Sequence, residues 1–411
     1  MSQLKLKEEN KFVEANLVFA QLKASPISFW IDSSGGPHEL CKNSFYSTNP
    51  KYYIYGSLHE VNLYECESGA VTFAHENCFD FLEEKISEEK YNPKGIFVGY
   101  FAYDLSDFSF AYFDECHSRE SGNLDRAICE EQELDSHFHG NDKTNLHLTS
   151  NMTDPEYLEK VKQIKAQIKA GNVYQVNLTR EYSIEIKNID DLELYLKLRS
   201  TSPNPYGCYF KTPFLSILSS SPEEFLYADL KAKYIRTRPI KGTLSKDIFE
   251  IDPKNQAENI MIVDLERNDL GRICEYGSIR AKRLLEIESY KHLNHVVSTV
   301  EGKLKPDIKL KEIFQAMFPS GSITGAPKIA AMKIIEHVEP TKRGAYTGSF
   351  GYIKTDGTMD FNILIRTIFV RNNKIVFNVG GGIVADSEPE AELEETRLKA
   401  EGIISTLGSL N

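Results

Sequence analysis

Nothing in the chain approaches the ~20 consecutive apolar residues that a bilayer-crossing helix requires. No lysine- and arginine-rich run stands out either. With 60 acidic against 48 basic residues, the net charge is -12 and the isoelectric point about 5.5. That balance excludes the electrostatic footprint of a nucleic-acid binder and argues against docking on anionic lipid. An anionic substrate would have to be met by locally placed cations or a metal ion. Cysteine is scarce: Cys41, Cys66, Cys78, Cys116, Cys129, Cys208 and Cys274 are scattered, odd in number and without a CxxC pair. This excludes a disulfide framework and a zinc site, and reads as reduced cytosolic thiols. The N-terminus, MSQLKLKEENKF, has acidic residues and no apolar core segment, so no signal peptide is expected and the cytoplasm is. What is present, 41% hydrophobic and 26% charged residues over 411, fits one large globular domain or two ordinary ones.

Residues 1–113 hold short aromatic or β-branched runs with strand character: Tyr52–Tyr55, Val71–Phe73 and Gly95–Phe101. Phe79–Ile86 reads as a short helix. These clusters are most simply core. Residues 114–149 are polar, acidic and aperiodic, and read as an insert or linker. Their histidines, His117, His137, His139 and His147, lack the ordered surroundings a metal site needs. Residues 150–411 hold the chemistry.

That region opens on Thr153-Asp154-Pro155-Glu156, a cap, a proline in the first turn and a glutamate three residues on, which predict a helix ending at Gly171. Val173–Arg180 reads as a strand. Alternation puts Tyr174, Val176 and Leu178 on one face and Gln175, Asn177 and Thr179 on the other, toward solvent or a polar cavity. A second strand, Leu215–Ser221, runs into Pro222-Glu223, where a carboxyl could serve as a general acid if desolvated. Standing alone it reads as an exposed turn residue.

The stretch Arg236-Thr237-Arg238-Pro239-Ile240-Lys241-Gly242-Thr243 is central. Pro239 fixes its own φ and pushes Arg238 toward extended geometry. Gly242 lets a ligand or strand come close beside Lys241. The two upstream arginines are expected to lower the lysine pKa and raise its nucleophilic fraction.

Asp252–Leu265 reads as a helix terminated by Arg267–Gly271, with Glu258 beside its apolar stripe as a candidate hard-metal ligand. His295 lies in a strand-like run and by itself reads as a core histidine. Phe318–Lys328 is a small-residue loop before a helix. It lacks the Gly-Lys-Ser/Thr ending of a phosphate loop, yet suits an anion such as a carboxylate. Tyr346–Tyr352 and Phe361–Phe369 read as strands. Arg366 interrupts the second and calls for an anion. The strand Lys374–Val379 runs into Gly380-Gly381-Gly382. Ser387-Glu388-Pro389-Glu390 predicts a capping box for a helix to about Thr406. On that helix Glu392, Glu395 and Lys399 share a face. Two carboxylates one turn apart suit Mg²⁺, although an ordinary Glu–Lys pair on a solvated face has the same pattern.

Taken together, these segments resemble the chorismate-utilising enzymes, among them the anthranilate, aminodeoxychorismate, isochorismate and salicylate synthases. The strings that carry the resemblance are YQVNLTR, SSPEEF, RPIKGT, AENIMIVDLERNDLGR, FPSGSITGAPK, TGSFGY, LIRT and GGGIVADSEPEAELEET. They cover residues 151–407 in one order. The N-terminal third resembles the family weakly.

The resemblance implies an α+β fold of the anthranilate synthase type, with two β-sheets packed on each other and flanked by helices. It implies Glu258 and Glu395 as Mg²⁺ ligands, supported by Glu392, holding the ring carboxylate of chorismate. Tyr346, Arg366 and the backbone at Gly380 would grip the enolpyruvyl carboxylate, with Lys399 adding positive charge. Ser322 and His295 would line the ring. Glu223 matches the acid that protonates the departing 4-hydroxyl. Relatives that add water at C2 carry a lysine where this chain has Gln175. Anthranilate synthases carry an alanine where it has Lys241.

The pattern therefore implies the aminodeoxychorismate branch of the family. There Lys241, with Thr243 beside it, would form a covalent intermediate, and ammonia would come from a glutamine amidotransferase subunit, on the route to 4-aminobenzoate and folate. An anthranilate-forming enzyme and a non-catalytic chorismate-binding subunit are the alternatives. Three features depart from the family. No amidotransferase domain and no leucine-rich tryptophan-binding motif is evident, and Asn255 stands where an acid is common.

Overall fold

The computed structural model describes residues 18–32, 43–120, 147–290 and 293–408. Two antiparallel sheets dominate it. One has ten strands and runs from the edge at Gly325–Ala326 through Gln175–Glu185, Lys374–Ile383, Thr367–Arg371, Ser216–Ser221 and Tyr206–Lys211 to Ser28–Asp32, Asn43–Thr48 and His117–Glu120. The other has twelve, running from Ile240–Ser245 through Leu293–Lys303, Tyr234–Arg238, Glu224–Asp229, Thr358–Asn362 and Ser349–Lys354 into the N-terminal strands between Tyr52 and Phe113. The N-terminal third thus contributes strands to both sheets.

The sheets face each other across a cluster that includes Phe29, Phe210 and Phe369 from the first and Val98, Phe113 and Phe350 from the second. Helices cover the outer faces. Asp191–Thr201 and Pro389–Leu407 bury Leu194, Tyr195, Ile403 and Leu407 against the ten-stranded sheet. Cys78–Glu88, Pro253–Ile273 and Leu310–Met317 bury Phe79, Leu270 and Phe314 against the other. The α+β reading of two packed sheets with helices outside holds.

Local signals hold unevenly. Thr153 and Glu156 form both halves of the capping box, and the helix Asp154–Lys169 follows. The helix at Pro253, by contrast, does not stop at Arg267–Gly271 but runs to Ile273. Leu270 and Ile273 continue its apolar face into the core, and that burial overrides the loop-like Asn268-Asp269 and Gly271. At Ser387 the predicted capping box is absent. Its hydroxyl accepts from the Val384 N–H at 3.0 Å, and Glu388 caps the helix without a side-chain bond. Tyr174 is exposed and lies outside the strand, which starts at Gln175. The triple glycine lies inside the strand Lys374–Ile383, paired with Asn177–Thr179. A Cβ on Gly380 would come within 2.5 Å of the Leu178 carbonyl oxygen, so close strand packing requires glycine there.

Within the predicted insert, short strands form at His117–Glu120 and Thr149–Ser150. Its central part, with His137 and His139, lies outside the described residues. No described helix is long and apolar enough to cross a membrane.

The feature that positions the site is a double crossover. The chain leaves the ten-stranded sheet at Ser221 and enters the twelve-stranded one at Glu224; it makes the reverse passage between Asn362 and Thr367. The expected single strand Phe361–Phe369 is therefore two strands in different sheets. The crossings run side by side. Ser221 Oγ donates to the Ile363 carbonyl at 2.6 Å. The Ile363 N–H donates to the Glu223 carbonyl at 3.1 Å, and the Ser220 N–H to that of Arg366 at 3.1 Å. Arg366 takes φ +50°, which the turn between the sheets demands.

Candidate active site

The crossovers bring Glu223 and Arg366 to one place. Glu223 is buried, 4% exposed. Its Oε1 accepts the Ile240 N–H at 3.1 Å, which ties it to the residue before Lys241. Burial raises its pKa, against the opposing pull of the Ser322 hydroxyl, the Ile240 N–H, Lys241 and Arg366. Glu223 is thus desolvated and not the exposed turn residue it reads as when standing alone.

Lys241 stands on a bulge. Ile240 pairs with Val297 and Thr243 with His295, so two residues oppose the single Val296. Gly242 completes the bulge at φ +100°. Such an insertion re-aims a side chain. The buried Asn259 fastens it: its Nδ2 reaches the Lys241 and Val296 carbonyls at 3.5 and 3.4 Å, and its Oδ1 accepts from Ser298 at 2.5 Å.

Burial lowers the Lys241 pKa, and Lys399 lowers it further, while Glu258, Glu223 and Glu395 oppose the shift. The cause differs from the expected one. Arg236 makes a two-point pair with Glu224, both contacts at 2.9 Å, and Arg238 pairs with Glu288. Both arginines line a separate cavity of about 890 Å³ with Glu224, Glu288, Tyr352 and Asp360. None of the candidate catalytic residues lines that cavity.

His295 is 1% exposed. Its Nδ1 lies 3.2 Å from Thr243 Oγ1, and its Nε2 has no protein partner. Burial and then Arg366 push its pKa down to about 3, so the ring is neutral. Arg366 is half-buried, its pKa lowered by burial with Tyr290 and Glu223 opposing. Gln175 is wholly buried with neither carboxamide atom bonded. Buried polar atoms left without partners fit a wall that a ligand completes. A Cβ on Gly382 would sit 2.9 Å from Gln175 Nε2.

Glu258 and Glu395 also act on Lys241. Burial raises the pKa of Glu258, and Glu395 adds to the rise while Lys241 and Lys254 oppose it. Burial and Glu395 raise Glu392 likewise. Burial also pushes Glu395 up, but Lys399 at 2.6 Å, Lys241 and Lys254 outweigh it and hold it below the ordinary value. A Cβ on Gly381 would lie 3.2 Å from Glu392 Oε2 and 3.5 Å from Glu395 Oε1, so the glycine leaves room in front of both. All three donors are carboxylate oxygens, the set that hard Mg²⁺ takes. Among the described residues no three such side chains already converge on one point, and Lys399 and Lys254 stand beside them. Lys399 Nζ also donates to the Gly380 carbonyl at 2.9 Å.

Tyr346 is buried near Arg343, in a turn whose Thr347 N–H donates to the Leu364 carbonyl. It is tied to the Arg366 crossover through backbone and not to Lys241. Sequence reasoning missed the parts that hold the site. Arg343 pairs with Glu339 and donates to the Ile323 and Asn177 carbonyls at 2.9 and 3.0 Å. Glu339 in turn accepts from the Thr179 N–H and Oγ1, each at 2.9 Å. This clamp fixes the Phe318–Lys328 loop to the strand Gln175–Glu185. A second missed group, Glu266 and Asp269, lies on the buried face of the helix Pro253–Ile273. Its signal was the i, i+3 spacing of acids within an apolar stripe.

A lysine of lowered pKa, an acid of raised pKa, a guanidinium and a group of carboxylates within electrostatic reach of one another suit the handling of a small anion. The chain belongs to the chorismate binding enzymes, whose family model matches residues 41–405. It is 40% identical to aminodeoxychorismate synthase component 1 of Bacillus subtilis over 259 residues, 60% of this chain and 54% of that protein. It is likewise 40% identical to the Escherichia coli protein of that name, over 63% of this chain and 59% of that protein. An anthranilate synthase component I-like protein of Synechocystis is 39% identical over 64% and 57%. The aligned part thus spans little more than half of each relative.

Among solved structures, anthranilate synthase component I of Streptococcus pneumoniae superposes with a TM-score of 0.73 at 26% identity, over 88% of this chain and 92% of that one. The menaquinone-specific isochorismate synthase of Escherichia coli shares the fold, with a TM-score of 0.71 at 18% identity over 94% and 90%.

Proposed function

We propose that the chain is the chorismate-converting component of an aminodeoxychorismate synthase, working in the cytoplasm with ammonia from a glutamine amidotransferase subunit. The observation that carries this reading is Lys241 on its bulge, its pKa lowered, beside Glu223, whose pKa is raised. The two shifts favour the pair in which the amine is neutral and the acid protonated. Lys241 Nζ attacks C2 of chorismate as the C4–O bond breaks, and the oxygen leaves as water with the proton of Glu223. Ammonia then forms the C4–N bond as the C2–N bond breaks; Lys241 leaves as its neutral amine, and the proton shed by the new C4 ammonium returns to the Glu223 carboxylate. One hard displacement becomes two easier ones.

Arg366, Tyr346 and the Gly380 backbone hold the enolpyruvyl carboxylate, with Lys399 nearby. His295, held by Thr243, lines the ring with Ser322 and Gln175. Glu258, Glu392 and Glu395 would hold Mg²⁺, which when bound orients and neutralises the ring carboxylate. The product, 4-amino-4-deoxychorismate, leads to 4-aminobenzoate and folate.

Product identity tests the reading. The chain incubated with chorismate, Mg²⁺ and ammonium should release a non-fluorescent amino compound that keeps the enolpyruvyl group, identified by mass. Fluorescent anthranilate would overturn the assignment. Lys241→Ala should abolish turnover with either nitrogen source; full retention would sink the covalent step.

A further inference from the structure

Arg343 is buried, and its guanidinium is fully engaged. Nε donates to Glu339 Oε2 at 2.9 Å. Nη2 donates to Glu339 Oε1 at 2.8 Å and to the Asn177 carbonyl at 3.0 Å. Nη1 donates to the Ile323 carbonyl at 2.9 Å and to Thr347 Oγ1 at 3.4 Å. A guanidinium has five N–H donors, and protein acceptors take them all. Arg343 therefore has none to offer a bound anion. What it holds are the neighbours of residues placed against chorismate in the proposed reading, on which this inference rests. Asn177 is two residues along the strand from Gln175, and its Nδ2 donates to the Ser322 carbonyl at 3.1 Å. Ile323 follows Ser322, and Thr347 follows Tyr346.

Thr347 is a buried β-branched residue at φ +57°, a conformation such side chains adopt only under constraint. Its hydroxyl donates to the Tyr346 carbonyl at 2.6 Å while accepting from Arg343. The Tyr346 N–H donates to the Arg343 carbonyl at 3.1 Å. Strain of this kind needs surroundings that hold it, and it clusters where it serves a site. Here the Arg343 side chain supplies part of the hold. Its own place is fixed from the N-terminal third: the Tyr103 ring covers the guanidinium at 4.7 Å, and the Tyr103 N–H donates to the Gly344 carbonyl at 2.8 Å.

We propose that Arg343 is a positioning residue for chorismate: it sets the Tyr346 turn against the Ser322 loop, so that Tyr346 meets the enolpyruvyl carboxylate while Ser322 lines the ring. It touches no substrate atom and acts through these two segments. A lysine in its place keeps the charge but has three donors on one nitrogen and no planar fork. It cannot reach Glu339, the strand, the loop and the turn together.

Initial rates of chorismate consumption, whatever the product, test this role, with chorismate and ammonium varied separately in the presence of Mg²⁺. Arg343→Lys should raise the KM for chorismate by on the order of ten-fold or more, the scale of one lost hydrogen bond to a charged group. The KM for ammonium should stay at the wild-type value. Thr347→Val removes only the hydroxyl between Arg343 and Tyr346 and leaves the Arg343–Glu339 pair in place. It should act in the same direction, and it decides the matter if Arg343→Lys does not fold. Tyr346→Phe should also weaken chorismate binding. Because Thr347 acts through Tyr346, the double variant should be no worse than the weaker single variant, to within about two-fold. A wild-type KM for chorismate in Arg343→Lys and Thr347→Val overturns the positioning role. So does an equal rise in both KM values, or a double variant that shows the product of the two single effects. Tyr346→Phe separates the two levels. If it keeps the wild-type KM, the placement of the carboxylate at Tyr346 falls and the role of Arg343 with it. If it weakens binding while the other two variants do not, the role of Arg343 alone falls.

Discussion

At the scale of the residue, the site is built on opposed pKa shifts. Lys241 is pushed below its ordinary 10.5 and Glu223 above its ordinary 4.5, both chiefly by burial. The proposed mechanism requires the first deprotonated and the second protonated. The rate should therefore rise with pH as Lys241 loses its proton and fall again as Glu223 loses its own. Glu223→Gln should lower kcat by about 10²–10⁴-fold, the usual contribution of a positioned acid. The remaining activity should lack the alkaline fall. A full alkaline limb in that variant would assign it to another group.

The bulge at Lys241 belongs to the scale of the element. Gly242→Ala would force a Cβ onto a φ of +100° and place it 3.1 Å from Val296 Cγ2 and 3.2 Å from Asn255 Oδ1. A strained residue of this kind costs about 1–3 kcal/mol. Denaturant titration should show a loss of that size. Because the bulge aims Lys241, kcat should fall more than the KM for chorismate rises. Unchanged kinetics alongside lost stability would mean the lysine finds its place without the bulge.

Elements also mark what could be read beforehand. Gly242 and Arg366 were legible as unusual residues, because a glycine after a lysine and an arginine in an apolar run break local patterns, whereas Glu223 by itself read as an exposed turn residue. The motif strings gave the family and, through it, the two sheets. The double crossover was not legible. Ser219-Ser220-Ser221 and Phe361–Phe369 read as continuous strand, since nothing local tells a strand that changes sheet from one that stays. Nor did the pairing of Arg236 with Glu224 show, because a partner from the adjacent strand depends on register. The helix end at Ile273 failed for the same kind of reason: burial of Leu270 decides it, and burial is set by the rest of the molecule.

Stability against pH is a property of the whole molecule, and here two buried groups act on it with opposite sign. His295 has its folded pKa pushed down to about 3 from an ordinary 6.5. Between those values the unfolded chain binds a proton that the native one refuses, so this group costs stability as pH falls below 6.5. Glu266 has its folded pKa raised above an ordinary 4.5. The native chain keeps a proton that the unfolded one releases, so this group costs stability as pH rises above 4.5. Differences between variants isolate each. Relative to the wild type, His295→Asn should gain stability progressively as pH drops below 6.5, and Glu266→Gln as pH climbs above 4.5. Any fixed offset from lost contacts is the same at every pH and does not disturb the slope. Chemical denaturation across the pH range reads both slopes. A flat difference for Glu266→Gln would mean that its carboxyl titrates alike in the folded and unfolded chain.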